Sequence, residues 1–155
     1  VMLSPFVDFT LSSPSMVTNE KRDPMFTTSA MVGLRHHYIT PEEMLSPDAS
    51  PLFGNFSGLP PLFFQSSESE MLRDDSLRAA ERADAAGVSV EVELWANVPH
   101  VFQGLQVLSH GKAALERIAD FVTRHTDWDR PDPQPPLQQP ESTAPMNAGA
   151  TVPAA

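Results

Sequence analysis

The sequence predicts an α/β protein built on a parallel sheet, and three adjacent segments carry that expectation. Residues 61–65 are a short continuous apolar run, residues 74–87 repeat their apolar positions at helical spacing, and residues 88–95 alternate apolar with polar. A strand, a helix and a second strand in that order make a crossover unit, which joins parallel neighbours of one sheet.

The elements follow in order. Val1, Met2, Leu3 and Ser4 read as the end of a buried strand closed by Pro5, because proline removes a ladder donor. Residues 5–28, rich in Ser, Thr, Pro and Asp, show no sustained period and are expected as loop. A short helix is expected over 29–38 and another over 41–45, where Thr40 as N-cap, Pro41 at the first helical position and Glu43 at the third form a capping box. Pro47, Pro51, Gly54, Gly58 and Pro60 punctuate a second loop. The run Pro61, Leu62, Phe63, Phe64, Gln65 then suits a strand covered on both faces. In the helix that follows, Leu77, Ala79, Ala80 and Ala83 share a stripe opposite Arg78, Glu81, Arg82 and Asp84, and Gly87 stands where a left-handed C-cap is expected. Val88, Val90, Val92 and Leu94 alternate with Ser89, Glu91, Glu93 and Trp95, a strand with one polar face, as at a sheet edge. The last helix is expected over 112–124, with Ala114, Leu115, Ile118, Phe121 and Val122 toward a core. Residues 127–155, dominated by Pro, Gln, Ala, Ser and Thr, bury too little apolar surface to offset their ordering entropy. They read as a disordered Pro-rich tail, leaving 1–126 as the folded domain.

Three strands make a poor domain. One middle helix and one final helix leave the first strand as a raw apolar edge, so the sheet is expected to continue in polypeptide upstream of Val1.

Composition narrows the function. A formal net charge of -10 repels nucleic-acid phosphates and anionic membrane surfaces, so neither is an expected partner. No apolar run approaches the roughly 18 residues that a membrane span needs. With no cysteine there is no disulfide, no thiolate metal ligand and no cysteine nucleophile, which is compatible with a cytoplasmic location. His36 and His37 are adjacent, so they diverge on a helix, and no carboxylate stands at ligand spacing beside them; no metal site is expected.

In open α/β sheets reactive groups collect beyond the carboxyl ends of the strands. Two such segments hold usable chemistry: 65–76, with Glu70, Asp74 and Asp75, and 97–103, with His100. Around them lie Leu3-Ser4-Pro5-Phe6-Val7-Asp8, Asp48-Ala49-Ser50-Pro51-Leu52, Gly58-Leu59-Pro60-Pro61-Leu62, Glu70-Met71-Leu72-Arg73-Asp74-Asp75, Ala86-Gly87-Val88 and Pro99-His100-Val101-Phe102. In this order and at these spacings the segments resemble the hormone-sensitive-lipase-like family of α/β-hydrolase esterases, from Val1 to about His125.

The resemblance implies the C-terminal half of an α/β-hydrolase parallel sheet with flanking helices, incomplete as given. It matches His100 to the catalytic base and Glu70 to the acid, usually Asp in that family and less often Glu. Asp74 is the alternative acid; otherwise Asp74 and Asp75 are expected to cap the helix that follows. Asp8 matches a position expected to fix backbone rather than react. A histidine, with an ordinary pKa of about 6.5, accepts a serine proton and returns it to a leaving alcohol, while a carboxylate on its other ring nitrogen fixes the tautomer.

The fold's nucleophile sits in G-x-S-x-G on a strand-to-helix turn, preceded by a histidine- and glycine-rich oxyanion loop, in chain order serine, acid, histidine. Neither motif occurs here. Gly54-Asn55-Phe56-Ser57-Gly58 has its serine one place late, and His110-Gly111 lacks the further glycines. Oxyanion donors are worth factors of about a hundred to a thousand each, so these residues alone are expected not to hydrolyse esters. The implied substrate is a small-molecule ester, and no cofactor is implied. Phe6, Phe9, Met16, Met25 and Phe26 are expected to pack a core rather than line an acyl pocket. The competing reading is a non-catalytic interaction module, with the strand 88–94 and the last helix as a homodimer contact of the kind the family often uses.

Overall fold

The computed structural model describes residues 1–105 and 107–126. Three strands, β1 (Met2–Leu3), β2 (Leu62–Ser67) and β3 (Val90–Trp95), form one parallel sheet in the order β1-β2-β3. Met2 pairs with Phe64, and the β2–β3 register runs from Leu62 opposite Val90 to Ser67 opposite Trp95. Helices α1 (Ser15–Thr18) and α2 (Thr28–Tyr38) lie in the long connection from β1 to β2, α3 (Arg73–Ala85) joins β2 to β3, and α4 (Ser109–His125) follows. Short 3-10 turns occur at Pro41–Glu43, Pro51–Phe53 and Phe102–Gly104.

Every residue of central β2 is buried. Its side chains alternate between two faces. Leu62 and Phe64 pack against Ala79, Ala80 and Ala83 of α3, in a core shared with Val7, Leu52, Phe56 and Val88. Phe63 points the other way and stacks on Phe121 of α4, ring centroids 5.1 Å apart. The polar half of β2 is satisfied inside: Gln65 Nε2 donates to Glu93 and to the Ala114 carbonyl, and Ser66 shares a hydrogen bond with Ser76. A second core of Met16, Met31, Met71 and Leu72 ties the long connection to the start of α3.

The α/β class and the element order agree with the sequence, and the differences have local causes. Helix α1 lies in a stretch expected as loop, because four residues are too few to show a period. The expected helix at 41–45 tightens into the turn Pro41–Glu43, where Glu43 still accepts from the Thr40 amide at 2.8 Å. The expected stripe of α3 is buried at Ala79, Ala80 and Ala83, but Leu77 is half-buried, and Asp74, Asp75 and Ser76 of the first turn are buried as well. Gly87 is left-handed at φ +81°, as expected after α3. On α4, Leu115 faces solvent, and Gly111, Ala114 and Phe121 make the contact. On β3 the polar face lies beneath α4, through Glu91 with Arg124 and Glu93 with Arg117, whereas apolar Val92 and Leu94 are exposed at the sheet edge. The tail expected over 127–155 lies outside the described residues.

Candidate active site

Glu70 and His100 follow the carboxyl ends of neighbouring parallel strands, β2 and β3. Glu70 is fully buried; its Oε1 accepts from the Ser67 amide at 3.0 Å, and its Oε2 lies 2.9 Å from His100 Nδ1. One carboxylate oxygen thus anchors the group to the end of its own strand and the other fixes the imidazole. Among the described residues His100 Nε2 has no hydrogen-bond partner, so that nitrogen is available for chemistry. A cleft of about 680 Å³ is lined by Arg22, Pro24, Ser69, Asn97, Val98 and Pro99, the sequence neighbours of the pair and not Glu70 or His100 themselves.

The loop holding His100 is braced from three directions. Ser67 Oγ donates to the Val98 carbonyl, joining the end of β2 to the loop after β3. Asn97 and Val101 both take left-handed backbone angles, φ 58° and 50°; for a β-branched residue such as Val101 this conformation is strained. In it the Val101 amide donates to Ser4 Oγ at 3.2 Å, so the end of β1 also reaches the histidine loop. Val98 and Phe102 are buried with Ala114 of α4, which seats the loop from beneath. The Phe26 ring meets His100 edge-on, centroids 4.8 Å apart at 76°.

The other carboxylates have different work. Asp74 accepts from the Ser15 amide at 2.8 Å and pairs with Arg73, and the N-cap position of α3 is Leu72, with no side-chain cap. Asp75 is fully buried and accepts from the amides of Val7 and Asp8 and from Ser13 Oγ. The capping role expected of these two residues is therefore corrected: both reach out of the helix to hold residues 7–15. Asp8 is fully buried too, and accepts from the Thr10 amide, Thr10 Oγ1, Ser12 Oγ and Arg78. Burial works to raise Asp8, but hydrogen bonds from Ser12, Thr10 and Arg78 outweigh it and hold the carboxyl below its usual range. At Asp75 burial wins over its three donors, with the nearby Asp8 charge adding to it, and pushes the carboxyl up to about 6.

Of the five candidate pocket residues, Phe9 and Met16 are buried, Phe6 and Phe26 pack half-buried against the methionine core, and Met25 is 56% exposed, against the expectation of core packing. Ser57 is exposed in a turn closed by its amide to Asn55 Oδ1, far from any strand-to-helix junction. His110 packs edge-on to Trp95 at 6.1 Å, and His36 and His37 are exposed on α2. Among the described residues no three metal-ligating side chains gather, and no helix is long and apolar enough to cross a membrane.

Reasoning from sequence missed three polar residues of the first connection. Ser15, Asn19 and Asp23 are all buried and hydrogen-bond the turn that carries Glu70. Their one signal is the four-residue spacing 15, 19, 23, hidden in a segment too rich in Ser, Thr and Pro to look helical.

Polar groups beyond the strand ends of a parallel sheet are the arrangement of open α/β folds generally, and a family model described as alpha/beta hydrolase fold matches residues 1–104. An esterase of Acinetobacter venetianus is 36% identical over 79% of this chain and 41% of its own length, and an acetyl-hydrolase of Streptomyces hygroscopicus is 31% identical over 81% and 42%. The crystal structure of a hormone-sensitive lipase from a metagenome library superposes with a TM-score of 0.77 at 35% identity, covering 81% of this chain and 43% of that one. The chain belongs to the α/β-hydrolase fold family, among its hormone-sensitive-lipase-like esterases and lipases. It spans about two fifths of the length of these relatives.

Proposed function

We propose that this chain supplies the acid and the base of a serine carboxylic ester hydrolase, with the nucleophilic serine and the oxyanion donors coming from polypeptide outside these 155 residues. The observation that carries the reading is the 2.9 Å contact between buried Glu70 and His100 Nδ1, with Nε2 left without a partner among the described residues. In the first half-reaction Nε2 takes the serine proton as the serine oxygen attacks the ester carbonyl, then delivers it to the departing alcohol. In the second, Nε2 takes a proton from the water that attacks the acyl-enzyme carbonyl, and returns it to the serine oxygen as the acyl–oxygen bond breaks and the acid is released. Glu70 holds the Nδ1–H tautomer and stabilises the imidazolium in both. The substrates proposed are esters of small or medium acids, in keeping with relatives named esterase and acetyl-hydrolase. A cytoplasmic location belongs to the same proposal, on the cysteine-free composition.

The test is hydrolysis of a short-chain p-nitrophenyl ester. The 155-residue chain by itself gives no turnover above buffer. In a complete form carrying a G-x-S-x-G serine, His100→Ala lowers turnover at least about a hundredfold. Full activity of the isolated chain, or a silent His100→Ala, contradicts the proposal.

A homodimer through β3 and α4 is a second proposal, favoured by the exposure of Val92 and Leu94 along an edge strand. Sedimentation velocity tests it: the protein runs as a dimer, and Leu94→Lys returns it to monomer.

A further inference from the structure

We propose that Asp23 is a positioning residue for the Glu70–His100 pair, a brace that ties the acid's turn to the ring packed on the histidine. The inference rests on the catalytic reading above and adds a residue to it. Asp23 lies in the connection from β1 to β2, far from either partner in sequence, and is 9% exposed. Its Oδ2 accepts from the Met71 amide, the residue after Glu70, at 2.8 Å. Its Oδ1 accepts from the amides of Met25 at 2.8 Å and Phe26 at 3.1 Å. A single carboxylate thus spans the acid's turn and the Phe26 backbone, and the Phe26 ring abuts the His100 imidazole.

The brace has a second strut one helical turn earlier. Asn19 Nδ2 donates to the carbonyls of Glu68 at 3.0 Å and Glu70 at 2.9 Å, flanking the acid on its carbonyl side as Asp23 holds the next amide. The amide of Asp23 in turn donates to the Asn19 carbonyl at 2.9 Å, which locks the two struts together. Ser15, a further four residues back, donates to the Met71 carbonyl and accepts from the Asp74 amide. Backbone groups at Glu68, Glu70, Met71 and Asp74 are therefore all held by side chains of one short segment.

Such turns need the help. Glu70 sits between the end of β2 and the start of α3, outside both ladders, with the Arg73 amide on its carbonyl at a long 3.3 Å. A buried carboxylate orients an imidazole only when its own position is set, and a misplacement near 1 Å costs up to about a hundredfold in rate. The negative charge of Asp23 suits three converging N–H donors, which a neutral side chain accepts less strongly.

The experiment reads the pair directly. With ¹⁵N-labelled histidine in the 155-residue protein, the His100 Nδ1 proton bonded to Glu70 gives a resonance whose exchange with water is measured in wild type, Asp23→Ala, Asp23→Asn, Phe26→Leu and Glu70→Gln. Asp23→Ala and Asp23→Asn are expected to speed that exchange at least about tenfold with the far-ultraviolet circular dichroism unchanged. Asp23→Asn keeps the shape of the side chain and decides the matter if Asp23→Ala fails to fold. In the complete form, the same variants lower kcat about tenfold and leave KM within about twofold. Folded Asp23→Asn and Phe26→Leu proteins with wild-type proton exchange overturn the brace. Slow exchange in both alongside an inactive Glu70→Gln sinks the brace and spares the catalytic reading; fast exchange in the Asp23 variants with a fully active His100→Ala does the reverse.

Discussion

Asp75 lies at full burial under the loop that follows β1, one oxygen on the amides of Val7 and Asp8 and the other on Ser13. Its carboxyl is pushed up to about 6 from an ordinary 3.8, chiefly by burial, so the folded protein holds this proton more tightly than the unfolded chain does. The contribution of this group to stability is therefore fully present below 3.8 and is lost as pH rises to about 6. Asp8 behaves oppositely: its hydrogen bonds outweigh burial and lower it, so its contribution is present above 3.8 and is lost as pH falls through its folded value. Glu20, Glu43 and Glu91 are lowered from 4.5 and Asp8 from 3.8, so all four contribute fully above 4.5, and from 4.5 to about 6 the Asp75 effect is the one of these five that changes. We predict that urea unfolding of wild type loses stability across that window, by about 2 kcal/mol at the most. Asp75→Asn flattens the slope. An equal slope in both proteins contradicts the assignment.

At the scale of elements, two helical glycines make opposite predictions. Gly33 in α2 has nothing within 4 Å of an added Cβ, so Gly33→Ala raises stability by up to about 1 kcal/mol through helix propensity. Gly111, in the first turn of α4, would put that Cβ 2.7 Å from the Leu105 carbonyl oxygen and 3.1 Å from that of Phe102. These are backbone atoms next to the histidine loop, and forcing them apart costs about 1–3 kcal/mol, more than the propensity gain. Thermal melts check both, with Gly33→Ala higher and Gly111→Ala lower than wild type. The same elements show what the sequence allowed one to read. The apolar run and the alternation marked β2 and β3 because strand periodicity is local, and Gly87 marked the end of α3 because a left-handed residue has a local cost. The alanine stripe of α3 was legible from its spacing, but the burial of Asp74, Asp75 and Ser76 was not, because their partners Ser15, Val7 and Ser66 lie outside the helix, which no 3.6-residue pattern reports. The exposure of Leu115, Val92 and Leu94 was equally hidden, since it depends on where α4 crosses the sheet.

For the whole molecule, three parallel strands gather their carboxyl ends around one histidine: β1 through Ser4, β2 through Ser67 and Glu70, and β3 directly. The pairing of Glu70 with His100 was legible through family resemblance, while the connection that braces it was not, because Asn19 and Asp23 read as ordinary loop residues before Pro24. Asp74 stands four residues beyond Glu70 and is the other carboxylate that sequence alone offers as the acid, yet it is spent on Ser15 and Arg73. The most direct measurement is therefore kcat for a short-chain p-nitrophenyl ester in Glu70→Gln and Asp74→Asn, made side by side in a complete form carrying a G-x-S-x-G serine. Loss of at least about a hundredfold in Glu70→Gln, with Asp74→Asn within about threefold of wild type, is the predicted result. A nearly silent Glu70→Gln beside an inactive, folded Asp74→Asn contradicts it.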